Sequence, residues 1–461
     1  MPHRPEVPAG GQLYTSQTAL IEQPTAEGLV RAIRRWDLVA LAINAVIGAG
    51  IFGLSSEVFA RVGVYSLLAF LVCGVAVSLI ILCFAEVSSR FSATGGPYLY
   101  AREAFSPIVG FEVGWMMWIA RLTAFAANCN LFVAYVAFFV PVVETEVWRA
   151  ATITVVVVGL TMVNLVGVRN AAVFSNLLTV AKLAPLLLFI VVGCFFINPG
   201  NYSPAARPAF GDLSVSVLLL MYAFGGFETA AVPGGEARDP RRDLPWALLT
   251  AIAVVSVFYV LIQFVAIGTL PQLGSSTRPL ADAAGRFLGP MGAAIISAGA
   301  LVSILGNLNV IMLVAPRLPF AMAERRELPG FIAATHRRFH TPHVAILLTA
   351  ALILVLTLSG TFEYAVTISV IARLLIYATT CAALPVLRRS ATAAPARFVI
   401  PGGVTVAVIS LLLVVWLLSN STGPQARDTG VAALIGFLIY GASSVGRRFG
   451  LWVQDGRSSR P

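Results

Sequence analysis

Apolar residues fall into twelve long runs separated by short polar connections. A run of about 20 apolar residues is long enough to cross a bilayer as an α-helix. Helices are required because backbone polar groups find no other partners in the hydrocarbon interior, and the runs lack the alternation of barrel strands. The pattern therefore predicts an all-α membrane protein of about twelve transmembrane helices. The predicted spans are 37–58, 63–88, 107–140, 150–168, 172–197, 213–232, 246–270, 287–314, 343–360, 363–386, 398–419 and 430–446.

Composition supports this prediction. Of the 461 residues, 58% are hydrophobic and 11% are charged, whereas soluble domains have about 45–50% apolar and about 25% charged residues. This balance excludes a set of soluble domains, a disordered chain and a disulfide-stapled secreted domain. The net charge of +10 does not require a nucleic-acid partner, because basic cytoplasmic loops account for it.

The distribution of Lys and Arg predicts the orientation. With the N-terminus inside, 22 of the 31 basic residues fall in inside segments, 6 in outside connections and 3 within spans. Cytoplasmic loops carry an excess of Lys and Arg. We therefore expect a multi-pass protein of the plasma membrane with both termini in the cytoplasm.

The first span contains Gly48-Ala-Gly50-Ile-Phe-Gly53. This matches a dinucleotide-binding fingerprint, but such a site needs a preceding strand and a following soluble helix, and here the motif lies inside a span. Two interpretations remain. The small residues allow close helix packing, or the helix unwinds at its middle, where glycine lowers helix stability by about 1 kcal/mol.

The sixth span contains Gly225-Gly226, followed by Glu228. Spans 1 and 6 begin two halves of five helices, and an odd number of helices inverts the second half. Gly-interrupted segments at matching positions of inverted repeats indicate a transporter binding site. The exposed N–H groups of a broken helix favour anions, and its exposed C=O groups favour cations. Two such breaks could therefore bind the carboxylate and the ammonium of a free amino acid.

At these motifs the sequence resembles the amino acid–polyamine–organocation (APC) superfamily, with its LeuT-like fold, over about spans 1–10. Its members are secondary transporters of amino acids and related amines, built as a 5+5 inverted repeat plus two helices. The resemblance implies a tail 1–36, a first repeat 37–197, a second repeat 213–386, two helices in 398–446 and a tail 447–461. The motifs that carry it are Ile47–Phe52, Phe84–Phe105, Ala223–Glu228, Gly235–Pro245, Asn307–Asn309 and Pro316–Ala323.

The resemblance also implies where substrate binds. Backbone N–H groups of the first break would hold the carboxylate, and carbonyls of the second would hold the amine. Phe224 or Phe227 would act as an aromatic gate, and the sequence does not choose between them. Three polar side chains are pocket candidates, although interhelical hydrogen bonds explain them equally well. The predicted substrate-binding residues are Ile47, Gly48, Ala49, Gly50, Tyr222, Ala223, Phe224 and Gly225, with Asn128, Ser303 and Asn307 for the pocket.

Four ionisable residues are clear cases of charge within a span, and such residues are functional candidates by default. Lys182 is the only lysine of the chain. Its head group either reaches the inner surface or couples transport, and a similar lysine of the family takes the place of a sodium ion at spans 1 and 8. Glu228 is a proton carrier, a gate group or a structural partner. Arg121 and Arg373 either hold the bundle together, or one of them contacts an anionic substrate or forms part of a gate.

The sequence thus predicts a secondary transporter working by alternating access, with proton-coupled, sodium-independent symport of neutral amino acids. The alternative is an amino acid or amine exchanger. An ion channel is disfavoured by the paired breaks, and an enzyme by the lack of a nucleophile–base or metal pattern. We expect no cofactor, no metal and no nucleic acid; the partners are the amino acid, protons and the lipid bilayer. The oligomeric state stays open.

Overall fold

The computed structural model describes residues 33–92, 95–166, 171–203, 207–339 and 341–448. The predicted tails 1–36 and 447–461 lie outside these residues except for a few positions. Within the described ranges all regular structure is helical, apart from one isolated backbone bridge between Ile33 and Ala237. The α-helices are α1 Arg35–Val46, α2 Gly50–Val62, α3 Ser66–Ser88, α4 Pro97–Ala104, α5 Pro107–Val136, α6 Glu146–Val166, α7 Ala171–Gly193, α8 Phe210–Phe224, α9 Pro240–Thr269, α10 Pro279–Val314, α11 Arg317–Glu324, α12 His343–Ser359, α13 Phe362–Arg389, α14 Gly403–Leu418 and α15 Gly423–Arg448.

These helices correspond in order to the twelve apolar runs. The first run forms two helices, α1 and α2, and the sixth forms α8 followed by the 3-10 helix Phe227–Glu236. The short helices α4 and α11 lie in connections between spans. The all-α membrane fold with breaks in its first and sixth spans is thus confirmed.

Fewer helices of the structure are long and apolar enough to cross a membrane than the twelve spans predicted from the sequence. Six helical stretches of the described chain are long and apolar enough to cross a membrane, or seven if one pair bent by 118° counts as a single span. The six are Gly50–Ser88, Pro107–Val136, Glu146–Val166, Pro240–Thr269, Pro279–Glu324 and Phe362–Arg389, and the bent pair is Gly403–Leu418 with Gly423–Ser444. Further apolar helices, such as α8 and α12, have fewer than 18 residues. The count of twelve stays a prediction.

The outer surface of the bundle is apolar. Val155 and Met162 on α6 are 71% and 57% exposed, and Leu412 on α14 is 64% exposed. A soluble monomer rarely exposes apolar surface this continuously. Hydrocarbon must surround these helices, so the chain is an integral, multi-pass membrane protein.

The two broken spans lie inside the bundle. The α1 segment packs against α9, α2 against α8, and α8 against α3. Outside them, α5 packs against α13 and α7 against α10. The breaks are therefore enclosed by protein, which is where irregular backbone is tolerated at membrane depth.

The segment after the second break is fastened to the start of α1. Ile33 pairs with Ala237, and the Arg238 amide donates to the Ile33 carbonyl at 3.0 Å. Arg35 Nε donates to Asp243 at 2.8 Å, and the ring of Trp36 meets that of Trp246 edge-on, with centroids 4.8 Å apart. We call this group of contacts the α1 latch.

Glu86, near the end of α3, joins three parts of the chain. Its carboxylate is fully buried and accepts two hydrogen bonds from Arg388, at 2.6 and 2.7 Å, and one from the Ile400 amide at 2.9 Å. Two-point binding of a guanidinium is the strongest form of this ion pair. The contact fixes the end of α13 and the entry to α14 on α3.

Removing Glu86 leaves the Ile400 amide without its acceptor and the Arg388 guanidinium with the Ile400 carbonyl, at 2.9 Å, as its remaining acceptor. We expect Glu86→Ala to lower the free energy of unfolding in detergent micelles by about 2–3 kcal/mol, because the Arg388 side chain left behind is 26% exposed. The matched control is Asp239→Ala, which breaks the exposed pair of Asp239 with Arg397 at 3.3 Å and should lower it by less than about 1 kcal/mol. Equal losses in the two variants would contradict a structural role for Glu86.

Candidate functional site

The first break spans Ile47–Ala49. Helix α1 ends at Val46, Ile47 leaves helical geometry with φ −74° and ψ 89°, and α2 begins at Gly50. The first N–H groups of α2 have no carbonyl partner within their own helix. Of the two interpretations of this glycine motif, unwinding is what the structure has.

The second break follows Phe224, where α8 ends. Gly226 has φ +114°, a conformation that residues with a Cβ rarely adopt. A Cβ atom there would also collide with the Ala45 carbonyl oxygen of α1. Glycine is therefore required at Gly226 both by its own backbone and by the neighbouring span.

The two breaks contact each other directly. A Cβ atom on Gly50 would lie 2.5 Å from Ala223 Cα, so the start of α2 touches the end of α8. The hydroxyl oxygen of Tyr259, on α9, lies 3.2 Å from the Val46 carbonyl oxygen and 3.1 Å from that of Ala223. Sequence reasoning missed Tyr259. The only signal was a phenol within an apolar run, which needs a hydrogen-bond partner when buried.

Lys182 contacts the end of α1. Its side chain is 1% exposed, and Nζ donates to the carbonyl oxygens of Ile47 at 2.6 Å and Asn44 at 2.8 Å. In an unbroken helix these carbonyls would accept from residues four positions later. The ammonium therefore serves carbonyls at a helix C-terminus, where positive charge is favoured. Its hydrogen bonds to described residues both go to span 1, and none goes to α10, the predicted span 8.

A chain of polar side chains connects the first break to α8. Asn307 of α10 lies against Gly48, where a Cβ atom would be 3.1 Å from its Nδ2. Asn128 Nδ2 donates to Asn307 Oδ1 at 2.7 Å, and the Tyr222 hydroxyl donates to Asn128 Oδ1. The structure thus brings Asn128, Asn307 and Tyr222 together. Within the described chain, the buried hydroxyl of Ser303 has no hydrogen-bond partner.

A cluster of two arginines and one glutamate lies at the second break. Glu228 Oε1 is 3.9 Å from Arg121 Nη2 and 3.8 Å from Arg373 Nε. Its Oε2 accepts from the Gly226 amide at 2.9 Å and from the Tyr377 hydroxyl at 3.0 Å. All three charged side chains are buried, with 3–7% exposure. Two guanidinium groups face one carboxylate, so the cluster keeps an excess positive charge.

The two arginines differ in their remaining contacts. Arg121 Nη2 donates to Thr229 Oγ1 at 2.6 Å, but its Nε has no partner among the described residues. The Arg373 guanidinium lies over the Tyr222 ring, 5.7 Å from its centroid, and against Gly225. Arg373 therefore links the charge cluster to the end of α8.

The two candidate gate residues occupy different surroundings. Phe224 packs on Tyr259, with ring centroids 5.1 Å apart. Phe227 stacks on Tyr377 at 5.0 Å and meets Phe84 edge-on at 5.1 Å. Phe224 thus lies beside the carbonyls of the breaks, whereas Phe227 lies beside the charge cluster.

Comparison with known proteins gives a consistent result. The family model described as amino acid permease matches residues 33–443. A methylthioribose transporter of Bacillus subtilis is 27% identical, covering 91% of this chain and 95% of its own. A branched-chain amino acid permease of the same organism is 25% identical, covering 90% and 93%. A serine/threonine exchanger of Bacillus subtilis is 27% identical, over 89% of this chain and 95% of its own.

The charge cluster generates a double-substitution test. Glu228→Gln leaves two buried guanidinium groups without a counter-ion, and we expect it to lower the free energy of unfolding by about 3–5 kcal/mol. Adding Arg121→Gln restores the original excess charge and should recover part of that loss. Thermal unfolding in detergent measures both variants. A double variant no more stable than Glu228→Gln would contradict mutual stabilisation of these charges.

Proposed function

Because this chain belongs to the amino acid permease family of membrane transporters, we propose that it carries neutral amino acids across the plasma membrane by alternating access. Transport is proton-coupled symport and needs no sodium. The observation that carries this proposal is the paired break of α1–α2 and α8, held together by Tyr259 and completed by Lys182.

The substrate binds between the two breaks. The N–H groups at Gly48, Ala49 and Gly50 hold the carboxylate, since a helix N-terminus attracts anions; the Gly48 amide gives up its 2.9 Å hydrogen bond to the Val46 carbonyl to do so. Carbonyls near the end of α8 hold the ammonium, since a helix C-terminus attracts cations. Both partial charges are fixed by the backbone, so this part of the site is independent of the substrate side chain. The carbonyls in question are those of Tyr222, Ala223, Phe224 and Gly225.

The pocket for the substrate side chain lies beside this backbone site. Asn128 and Asn307 are already connected to Gly48 and Tyr222, and the unpartnered hydroxyl of Ser303 offers a further hydrogen bond. Phe224 is the gate favoured by position, because its ring adjoins Tyr259 at the breaks. The excess positive charge of the neighbouring cluster repels cationic polyamines and leaves neutral zwitterions as substrates.

Lys182 replaces the sodium ion of sodium-coupled relatives. Its two hydrogen bonds go to backbone carbonyls, which are also the groups that bind hard cations. A lysine ammonium, unlike a guanidinium, can lose its proton when buried. We assign proton coupling to Lys182 at the first break and to Glu228 at the second, where the Glu228 carboxylate accepts a hydrogen bond from the Gly226 amide.

We further propose that residues 37–197 and 213–386 form the two inverted repeats, that 398–446 flanks them, and that both termini face the cytoplasm. The predominance of basic residues in the inside segments supports this orientation.

An amino acid exchanger is the second candidate. It is supported by the relative named as a serine/threonine exchanger, which covers most of this chain. In that case Lys182 keeps its proton and acts as a fixed cation.

Uptake into sodium-free proteoliposomes distinguishes these functions. The panel contains labelled serine, threonine, branched-chain amino acids and methylthioribose, measured with and without an inward proton gradient. We expect accumulation of at least one amino acid only with the gradient. Uptake that requires preloaded amino acid and ignores pH would establish the exchanger. Uptake of methylthioribose without any amino acid would overturn the proposed substrate class.

The role of Lys182 is tested by substitution. Lys182→Ala removes the donor for two buried carbonyls, and we expect at least a tenfold loss of sodium-free uptake, the rate effect of about 1.4 kcal/mol. Leu183→Ala, at the adjacent position of α7, is the control and should retain most of the activity. Unchanged uptake by Lys182→Ala would refute the sodium-replacement role.

A further inference from the structure

We propose that the Tyr259 hydroxyl stands in for the substrate ammonium in the empty transporter and so permits the empty protein to change between its two orientations. This inference rests on the proposed function. It assigns a positioning role to Tyr259, which acts through the carbonyls of the two breaks.

The geometry places one donor between two carbonyls. Tyr259 is fully buried, and its hydroxyl oxygen lies 3.1 Å from the Ala223 carbonyl and 3.2 Å from the Val46 carbonyl. Each carbonyl belongs to the last turn of its helix, α8 or α1, and has lost the amide partner that a continuing helix provides. The Val46 carbonyl also accepts from the Gly48 amide at 2.9 Å. Tyr259 is thus the side chain that joins the C-terminal ends of both interrupted helices.

The hydroxyl has one proton and can donate to one carbonyl at a time. A substrate ammonium has three N–H donors and can serve both carbonyls together. Ala223 is among the proposed ligands of that ammonium. The phenol and the ammonium are therefore alternative donors to the Ala223 carbonyl oxygen, with the Val46 carbonyl oxygen within reach of the same donor, and the phenol is the donor that remains when substrate leaves.

Aromatic packing holds the phenol in place independently of these hydrogen bonds. The Tyr259 ring meets Phe224 at a centroid distance of 5.1 Å and Phe70 at 6.4 Å, both at steep interplanar angles. Tyr259→Phe keeps this packing and deletes only the donor. The substitution therefore separates the hydroxyl from the rest of the side chain.

The loss affects empty and loaded protein unequally. Without the hydroxyl, the empty protein must close the breaks over buried carbonyls that lack their side-chain donor, which is unfavourable. In the loaded protein the ammonium donates to them. Net uptake requires the empty protein to return, whereas exchange uses only loaded forms. Tyr259→Phe should therefore slow net uptake about tenfold and change exchange less than about threefold.

The experiment compares the two transport modes in proteoliposomes holding the full-length protein. The amino acid taken up best by the wild type is supplied outside. Vesicles are either empty or preloaded with the same unlabelled amino acid. The matched control is Tyr135→Phe, which removes a buried hydroxyl that donates to the single carbonyl of Phe52 at 3.0 Å. We expect the control to change both modes by the same factor.

Several outcomes would overturn the inference. If Tyr259→Phe lowers the rates of net uptake and exchange equally, the hydroxyl has only a structural role. If neither rate changes, the hydroxyl has no role in transport. Absence of net uptake by the wild type would also count against it, because the hydroxyl would then not support the empty return. If the wild type moves no amino acid in either mode, the proposed function itself fails, and this result is distinguishable from the others.

Thermal unfolding adds a readout that does not need transport. Tyr259→Phe should lower the Tm of the empty protein, and saturating substrate should raise its Tm by more than it raises that of the wild type. A substrate-induced rise equal to that of the wild type would contradict substitution of one donor for the other.

Discussion

Backbone groups that lose their helical partners inside a membrane must find other partners within the protein. Two spans of this protein are interrupted, and the contacts around the interruptions follow from that requirement. Carbonyls at the end of α1 are served by the Lys182 ammonium and by the Gly48 amide, and the last turn of α8 by the Tyr259 hydroxyl. The amides that begin α2 are the complementary set, and they are the groups proposed to bind substrate.

The buried charges near the two breaks are stabilised in two different ways. The hydrogen bonds of Lys182 go to neutral carbonyl oxygens, so its charge is stabilised by dipoles. Arg121 and Arg373 instead share the carboxylate of Glu228, with amide and phenol donors on its second oxygen. Because neutral carbonyls surround it, the Lys182 ammonium can change its contacts when a helix end moves. The Glu228 carboxylate instead joins three helical segments through its two arginine partners. The first arrangement suits a moving part, and the second holds its segments together for as long as Glu228 is charged.

The fold was largely predictable because the bilayer imposes one secondary structure and a minimum length on each apolar run. Both breaks were also predictable, because their glycines lower the stability of the helix more than most other residues do. Lys182 was recognisable as a lone amine in an apolar segment. Its contacts, however, depend on where α7 packs, and the predicted contact with span 8 is absent from its hydrogen bonds. Tyr259 escaped prediction. Asn128 and Asn307 were predicted as candidates but not as partners of each other, because hydrophobic periodicity does not encode which faces meet. The sequence likewise could not choose between Phe224 and Phe227, since only packing separates their environments.

The α1 latch has a mechanical consequence. Backbone pairing of Ile33 with Ala237, together with the Arg35–Asp243 ion pair, joins the entrance of the first broken span to the segment that leaves the second. These two lengths of chain form a closed loop through both breaks, so neither can slide along its axis alone. Any rearrangement that keeps the latch must therefore move both segments together. The contact of Trp36 with Trp246 extends the same connection to α9, so the entrance of the first broken span is tied to that helix as well.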